Sequence, residues 1–353
     1  MYQRKIIHVD CDCFYVAVER LKDPTLIGRP VAVGGPSRGR GVIASCSYEA
    51  RAFGVRSAMP TGQAMRLCPD LVLVRGDMAS YQAVSAQIRH IFDQYTDVVE
   101  PLSIDEAFLD VTDSPHCRGS ATLMAQALRQ RIRAEVGITV SAGVAPNRFL
   151  AKIASDWRKP DGLFVVRPEE AAGFAANLPA ARLHGVGPAT LVRLNKLGVR
   201  RCGDILQLDD LQLIREFGKY GLRLRELAQG VDPSPIRPHR NRKSLSVEHT
   251  FTSDLPDVAS CQSQLPALVD TLQERLARAR ATDAVSQQFV KLKFTDFQQT
   301  TLEVSCDYGI EIGRYAELCR EAWERGGKPV RLLGVGVRFR SHQAPAQQLP
   351  IWA

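Results

Sequence analysis

The chain has 353 residues and a mass of 39 kDa, which allows two to four domains. Its 45% hydrophobic and 24% charged residues exclude a fibrous or low-complexity chain, and no apolar run approaches the roughly 18 residues of a membrane span. A net charge of +8 favours polyanionic partners. Nine cysteines from Cys11 to Cys319, with no C-x-x-C pair, argue for reduced thiols in a cytosol and against a disulfide framework or zinc site.

Ile6, Ile7 and Val9 in KIIHVDCDCFY read as a short buried strand ending on Asp10 and Asp12, two positions apart and able to share a face. No signal peptide is expected, because the apolar residues give way to Asp10 after that one strand. On this fragment alone the two carboxylates are either solvated at a strand end or met by something positive, since a bare buried carboxylate is costly. Phe14–Leu21 reads as a helix, and Gly28-Arg-Pro30 and Gly34-Gly-Pro-Ser37 punctuate short strands around VAV and GVIAS. Ala79–Tyr95 follows a helical period through Val84, Ile88, Ile91 and Phe92. A hairpin spans Val98–Val111, and Ser120 caps a helix running to Val136. Ile138–Ala145 is a strand, Asn147–Arg158 a helix and Leu163–Val166 a strand. Leaving aside Asp12 to Gly76, the order is β-α-β-β-α-β plus a further α-β. It suits a ferredoxin-like antiparallel sheet with helices on one face, in a multidomain α+β protein.

Residues 168–232 read as mostly helical and contain LHGVGPATLVRLNKLG. Arg237-Pro-His-Arg-Asn-Arg-Lys243 follows, a Pro-rich basic stretch that is either a solvated tether or a segment lying along a phosphate backbone. Beyond it Ser244–Phe251 is a strand, Val258–Ala281 a helix, Phe289–Thr295 and Thr301–Cys306 strands, Ile310–Trp323 a helix and Val330–Phe339 a strand. This is β-α-β-β-α-β again.

The second acidic pair lies in PLSIDEAFLDV. Asp105 and Glu106 would face opposite ways on a regular strand, but Pro101 supports a bend at which both converge. The first and third strands of a ferredoxin-like sheet are neighbours, so Asp10 can meet this pair. Carboxylates about 4 Å apart repel by roughly 4 kcal/mol per pair at an effective dielectric near 20. They therefore protonate or take up cations. Oxygen-only ligands without histidine favour Mg²⁺ or Mn²⁺, and two such ions suit in-line phosphoryl or nucleotidyl transfer.

The blocks HVDCDCFYVAVE, SYEARAFGVRSAMP, EPLSIDEAFLDVT, SAGVAPNRFLAKIASDWRKPDG, LHGVG and FVKLKF resemble, in order and spacing, those of the Y-family DNA polymerases, closest to the bacterial DinB branch. The resemblance covers essentially the whole chain. It implies a right-hand architecture: palm at 1–12 and 76–167, fingers at 13–75, helical thumb at 168–232, basic linker at 233–242, little finger at 243–341 and a tail at 342–353. Asp10, Asp105 and Glu106 match the catalytic metal ligands, with the Cys11 backbone carbonyl as a further one and two Mg²⁺ ions, replaceable by Mn²⁺, as cofactor. Asp12 matches a motif position for which a structural hydrogen bond is expected.

Tyr15 matches the aromatic steric gate against a ribose 2′-OH, Ile43 and Ala44 look like part of the roof over the base pair, and Tyr48, Arg51 and Lys159 resemble the residues holding the incoming triphosphate. A guanidinium suits that task because it binds phosphate oxygens bidentately. Gly185 and Gly187, ahead of Pro188, resemble the thumb's helix-hairpin-helix grip, in which backbone N–H groups meet a DNA phosphate. His184 and Pro188 depart from the usual pattern there. Arg240, Arg242 and Lys243 of the linker, Lys291 and Lys293 of FVKLKF, and Arg331 and Arg338 of VRLLGVGVRF are expected against template phosphates, which position DNA without reading its sequence. The tail residues Gln348, Leu349, Ile351 and Trp352 resemble a sliding-clamp-binding peptide.

The implied function is template-directed addition of deoxynucleotides to a primer 3′ end, with low-fidelity translesion synthesis and no proofreading exonuclease, by a cytoplasmic, nucleoid-associated bacterial monomer. Two rivals are open to test. A phosphatase of the haloacid-dehalogenase kind also carries D-x-D after an apolar strand, but on a parallel doubly wound sheet. A non-catalytic nucleic-acid-binding protein would suit the charge and the repeat, although its acidic cluster would repel DNA.

Overall fold

The computed structural model describes residues 4–238, 241–279, 285–306 and 310–340. The chain forms two units, divided between residues 239 and 240.

In the first unit β1 (Ile6–Cys11) runs two residues past Val9 and so carries Asp10 within the strand. After α1 (Phe14–Lys22), the chain builds a small three-stranded sheet from β2 (Val31–Gly34), β3 (Ile43–Cys46) and β4 (Val72–Val74), with α2 (Tyr48–Ala52) and α3 (Thr61–Leu67) between β3 and β4. That sheet has its own core of Ala32, Ile43, Cys46, Ala50, Val55 and Ala64. The chain returns through α4 (Met78–Asp93) to the hairpin β5 (Val99–Pro101) and β6 (Glu106–Asp110). Then come α5 (Ala121–Glu135), β7 (Val140–Ala145), α6 (Arg148–Trp157) and β8 (Leu163–Val165). Asp77, Ser120 and Asn147 cap α4, α5 and α6 by accepting the N–H of the residue three further on.

The five strands lie in the order β5-β6-β1-β7-β8. The first four reproduce the ferredoxin-like order, β1 being antiparallel to both neighbours, and β8 adds a parallel edge to β7. A doubly wound phosphatase sheet is thereby ruled out. The expectation of helices on one face is corrected, because alternation along β1 feeds two cores. Ile7, Val9 and Cys11 pack with α1, α4 and α5 through Phe14, Ile88, Ile91, Leu128 and Ile132. Ile6 packs on the other face with Phe108 and with Phe149, Leu150 and Ile153 of α6. That second core continues into α7 (Ala171–Asn177), α8 (Pro188–Lys196), α9 (Asp210–Phe217) and α10 (Lys219–Ala228) through Ala175, Leu194, Leu213, Leu224 and Leu227.

The second unit holds β9 (Ser244–Leu255), α11 (Val258–Ser263), α12 (Leu265–Ala279), β10 (Val285–Phe294), β11 (Gln299–Ser305), α13 (Ile312–Glu324) and β12 (Val330–Phe339). The single helix expected over Val258–Ala281 is two, parted at Gln264, since Pro266 in the first turn of α12 has no N–H to continue a helix. The element order repeats that of the first sheet, but the strand order does not. It is β11-β10-β12-β9, antiparallel throughout, with the first strand at an edge instead of between the third and the last.

Candidate active site

Register sets the centre of the site. Asp10 stands directly opposite Glu106 on β6 and Ser141 on β7. Both acids share the α6 side of the sheet with His8, two residues back on β1, and each meets a lysine from that side. Lys159 Nζ is 2.5 Å from Asp10 Oδ1, and Lys152 of α6 is paired with Glu106. Burial pushes the Asp10 carboxyl up to about 6, against the pull of Lys159. Burial works the same way on Glu106, but hydrogen bonding to His8 and Lys152 overcomes it and holds the carboxyl down at about 2. His8 is fully buried and its pKa falls to about 4, chiefly through desolvation, so its ring is neutral at pH 7. Its Nε2 lies 3.1 Å from Glu106 Oε2 and its Nδ1 2.7 Å from the Ser155 hydroxyl. The Ser155 hydroxyl donates to the Lys152 carbonyl at 2.8 Å, which links His8 to the backbone of α6.

Asp105 is in the turn before β6. Its carbonyl accepts the Cys11 N–H at 2.9 Å, and its carboxylate accepts the Ser103 hydroxyl. Asp105 and Glu106 both act electrostatically on Asp10. Convergence is nevertheless looser than the sequence suggests. Among the described residues no three acidic, histidine or cysteine side chains gather as a metal-holding group. Asp10 and Glu106 turn to lysines and Asp105 to Ser103. The donor set itself, oxygen-rich and with Asp10 partly buried, fits a hard divalent cation.

Asp12 lies just past β1, is 2% exposed, and accepts hydrogen bonds from the Ser141 hydroxyl (2.8 Å), the Tyr48 hydroxyl (3.2 Å) and the Asp161 N–H (2.8 Å). The expected structural role is thus visible. Arg51 stacks on the Tyr48 ring, 4.7 Å from its centroid. Tyr15 lies on the first turn of α1 in ring contact with Tyr81. Ile43 needs correction: it is 1% exposed, inside the small sheet's core, and cannot roof a base pair. Strand alternation puts the open face on Ala44 and on Val42, which is 50% exposed.

Gly185 has φ +86 and lies against Tyr220, whose hydroxyl donates to the His184 carbonyl at 2.5 Å. Gly187 is the N-cap of α8 with Pro188 at its first position, as expected. On the second unit Lys291 pairs with Glu248 and Arg338 with Glu303. Lys293 and Arg331 each lie 4.9 Å from the ring centroid of Phe297, itself 60% exposed. Arg242 and Lys243 are exposed. Arg240 and the tail residues Gln348, Leu349, Ile351 and Trp352 lie outside the described residues.

Sequence reasoning missed His8, Lys152 and Val42. Each had a signal: His8 is two residues from Asp10 on one strand, Lys152 is two helical turns before Lys159, and Val42 is two residues from Ala44.

The impB/mucB/samB family model matches residues 9–156, and the model of that family's C-terminal domain matches residues 242–350. The chain belongs to this family, the Y-family DNA polymerases, and is a DNA-directed DNA polymerase of the translesion class. It is 53% identical to the DNA polymerase IV of Pseudomonas savastanoi pv. phaseolicola over 353 residues, all of both chains. It is 53% identical, again over the full length of both, to that of Ectopseudomonas mendocina. Among solved structures it is similar to a Y-family DNA polymerase chimera, with a TM-score of 0.86 and 32% identity over 95% of this chain and 98% of that one. It is also similar to the insertion ternary complex of Dbh DNA polymerase, with a TM-score of 0.68 and 30% identity over the same shares. Enzymes of this class are metal-dependent and act on primer–template DNA and deoxynucleoside triphosphates. No described helix is long and apolar enough to cross a membrane.

Proposed function

We propose that Asp10, Asp105 and Glu106, with the Cys11 carbonyl, hold two Mg²⁺ ions at the nucleotidyl-transfer centre. The observation that carries this reading is the cross-strand opposition of Asp10 and Glu106, two partly buried carboxylates on one face of the sheet, of which Asp10 is raised to about 6 by burial. Bound Mg²⁺ would supply Lewis-acid stabilisation of negative charge on the primer 3′ oxygen and on the leaving pyrophosphate. The chain's own side chains do the rest. When the nucleotide binds, Lys159 turns from Asp10 and the Tyr48 hydroxyl from Asp12, so that Lys159, Arg51 and Tyr48 meet triphosphate oxygens and the α-phosphorus lies in line with the primer 3′ oxygen. Tyr15 fills the space a 2′-hydroxyl would need. Ala44 and Val42 leave a low wall above the nascent pair, which suits a damaged template.

In this reading residues 1–12 and 76–167 are the palm, 13–75 the fingers, 168–232 the thumb and 243–341 the little finger. The N–H groups around Gly185 and Gly187, and the cations Arg240, Arg242, Lys243, Lys291, Lys293, Arg331 and Arg338, hold DNA phosphates. Because those contacts are electrostatic, affinity falls steeply with salt. Gln348, Leu349, Ile351 and Trp352 dock on a sliding clamp, and the enzyme works as a cytoplasmic monomer at the nucleoid.

Primer extension with four deoxynucleotides and Mg²⁺, wild type against Asp105→Asn, tests the centre. Extension by the wild type alone supports it. An Asp105→Asn enzyme that extends the primer as fast as the wild type would remove Asp105 from the centre.

A further inference from the structure

Lys159 reaches Asp10 from a turn, because α6 has already ended at Trp157. Two residues on, Asp161 has φ +49, a left-handed conformation that a residue with a Cβ adopts only when its surroundings hold it there. The holding comes from two sides. On the inner side the buried Asp12 carboxylate accepts the Asp161 N–H at 2.8 Å, and Ser141 Oγ accepts the Gly162 N–H at 3.3 Å. On the outer side stands Arg129 of α5. Its Nε donates to the Val140 carbonyl at 3.1 Å, and one terminal nitrogen donates both to the Asp161 carboxylate at 2.7 Å and to the Asp161 carbonyl. Arg133 adds a second cation to the same carboxylate at 3.0 Å, but is far more exposed.

We propose that Arg129 is a positioning residue for the incoming nucleotide. It fastens the Asp161 turn to β7 and against Asp12, and so aims Lys159 at the triphosphate. Three acceptors in different directions suit the planar fork of a guanidinium and not the single point of an ammonium. The same Asp12 carboxylate accepts the Tyr48 hydroxyl at 3.2 Å, and Tyr48 carries Arg51 on its ring. One buried acid therefore ties together all three groups assigned to the triphosphate, and Arg129 braces the one of them that sits on a turn. This inference rests on the reading of Lys159 as a triphosphate ligand.

Single-nucleotide incorporation on undamaged primer–template tests it, using Arg129→Gln, Lys159→Ala and the double variant. DNA affinity and melting temperature are measured alongside. The expected result for Arg129→Gln is a KM for the deoxynucleotide raised about tenfold, with DNA affinity unchanged. In the Lys159→Ala background, Arg129→Gln should add nothing, because a residue acting through Lys159 has nothing left to position. Arg129→Lys, which keeps the charge and loses the fork, should behave like Arg129→Gln and serves if that variant does not fold. A Lys159→Ala enzyme with raised KM beside an Arg129→Gln enzyme with normal KM overturns the inference alone. So do effects that multiply in the double variant. A Lys159→Ala enzyme with unchanged KM overturns the triphosphate reading and the inference with it.

Discussion

The ring of Tyr15 lies flat on the ring of Tyr81, centroids 4.2 Å apart and planes 8° from parallel, and the Tyr81 hydroxyl is anchored on the buried Glu19 carboxylate at 2.7 Å. The ring proposed as the sugar gate therefore has a backstop against an approaching 2′-hydroxyl. Tyr15→Ala should raise ribonucleotide incorporation relative to deoxynucleotide by on the order of 100-fold, a loss of about 2.7 kcal/mol of discrimination. Tyr81→Leu, which removes the stack but keeps an apolar filler, should give an intermediate value, read from paired kcat/KM values. Unchanged sugar selectivity in Tyr15→Ala would remove the gate assignment.

Asp10 makes metal-free stability depend on pH. Its native pKa of about 6 lies above the usual carboxylate value, so the folded state prefers the protonated acid. Ionising it costs stability, a cost absent below the unfolded value near 4 and complete above about 6, and amounting to at most about 3 kcal/mol. Glu106 has the opposite sign. Held down at about 2, it contributes stability above its usual value that is lost as pH falls toward 2. In chelator, the melting temperature of Asp10→Asn should overtake that of the wild type as pH rises from about 4 to 7. Parallel curves for the two proteins would contradict the burial argument.

Gly143 on β7 permits the close approach of α6. A Cβ there would lie 2.1 Å from the Ala151 carbonyl oxygen and 2.3 Å from the Ser155 nitrogen, both backbone atoms that cannot turn aside. Gly143→Ala should cost about 1–3 kcal/mol by overpacking. It should also lower kcat, since α6 carries Lys152 and Ser155. Denaturant unfolding and steady-state extension check the two effects separately.

Val42 and Ile43 should part company on substitution. Ile43→Ala empties a filled core position and should cost about 2–5 kcal/mol. Val42→Ala, at a half-exposed position, should leave stability within about 0.5 kcal/mol. Any effect it has should appear in bypass of a bulky template adduct. Thermal melts and lesion-bypass assays distinguish them, and a stability loss in Val42→Ala would reverse the assignment of faces.

The first sheet was legible because its helical and strand periods are distinct, and because the βαββαβ order sets β1 beside β6. The opposition of Asp10 and Glu106 followed from topology alone. What escaped depended on contacts that no local period encodes. Lys152 and His8 read as an ordinary surface lysine and strand histidine until α6 is folded over the sheet. The second unit repeats the element order of the first with a different strand order, and a period of two cannot tell β9 beside β12 from β9 beside β11. Ile43 was misplaced although its strand alternation, applied to Val42 and Ala44, was enough to exclude it.

The second core of the first unit has a mechanical consequence. Ile6 of β1 and Phe108 of β6 belong to the same buried cluster as Leu194, Leu213 and Leu224 of the helical segment. The interior of that segment is continuous with the α6 side of the sheet, and its helices should not peel away as a separate lobe. Amides of β1, α6 and α10 should then exchange with deuterium in one cooperative opening. A cavity cut at Leu194 would be felt as added play in the helix that carries Lys152, far from where the residue was removed.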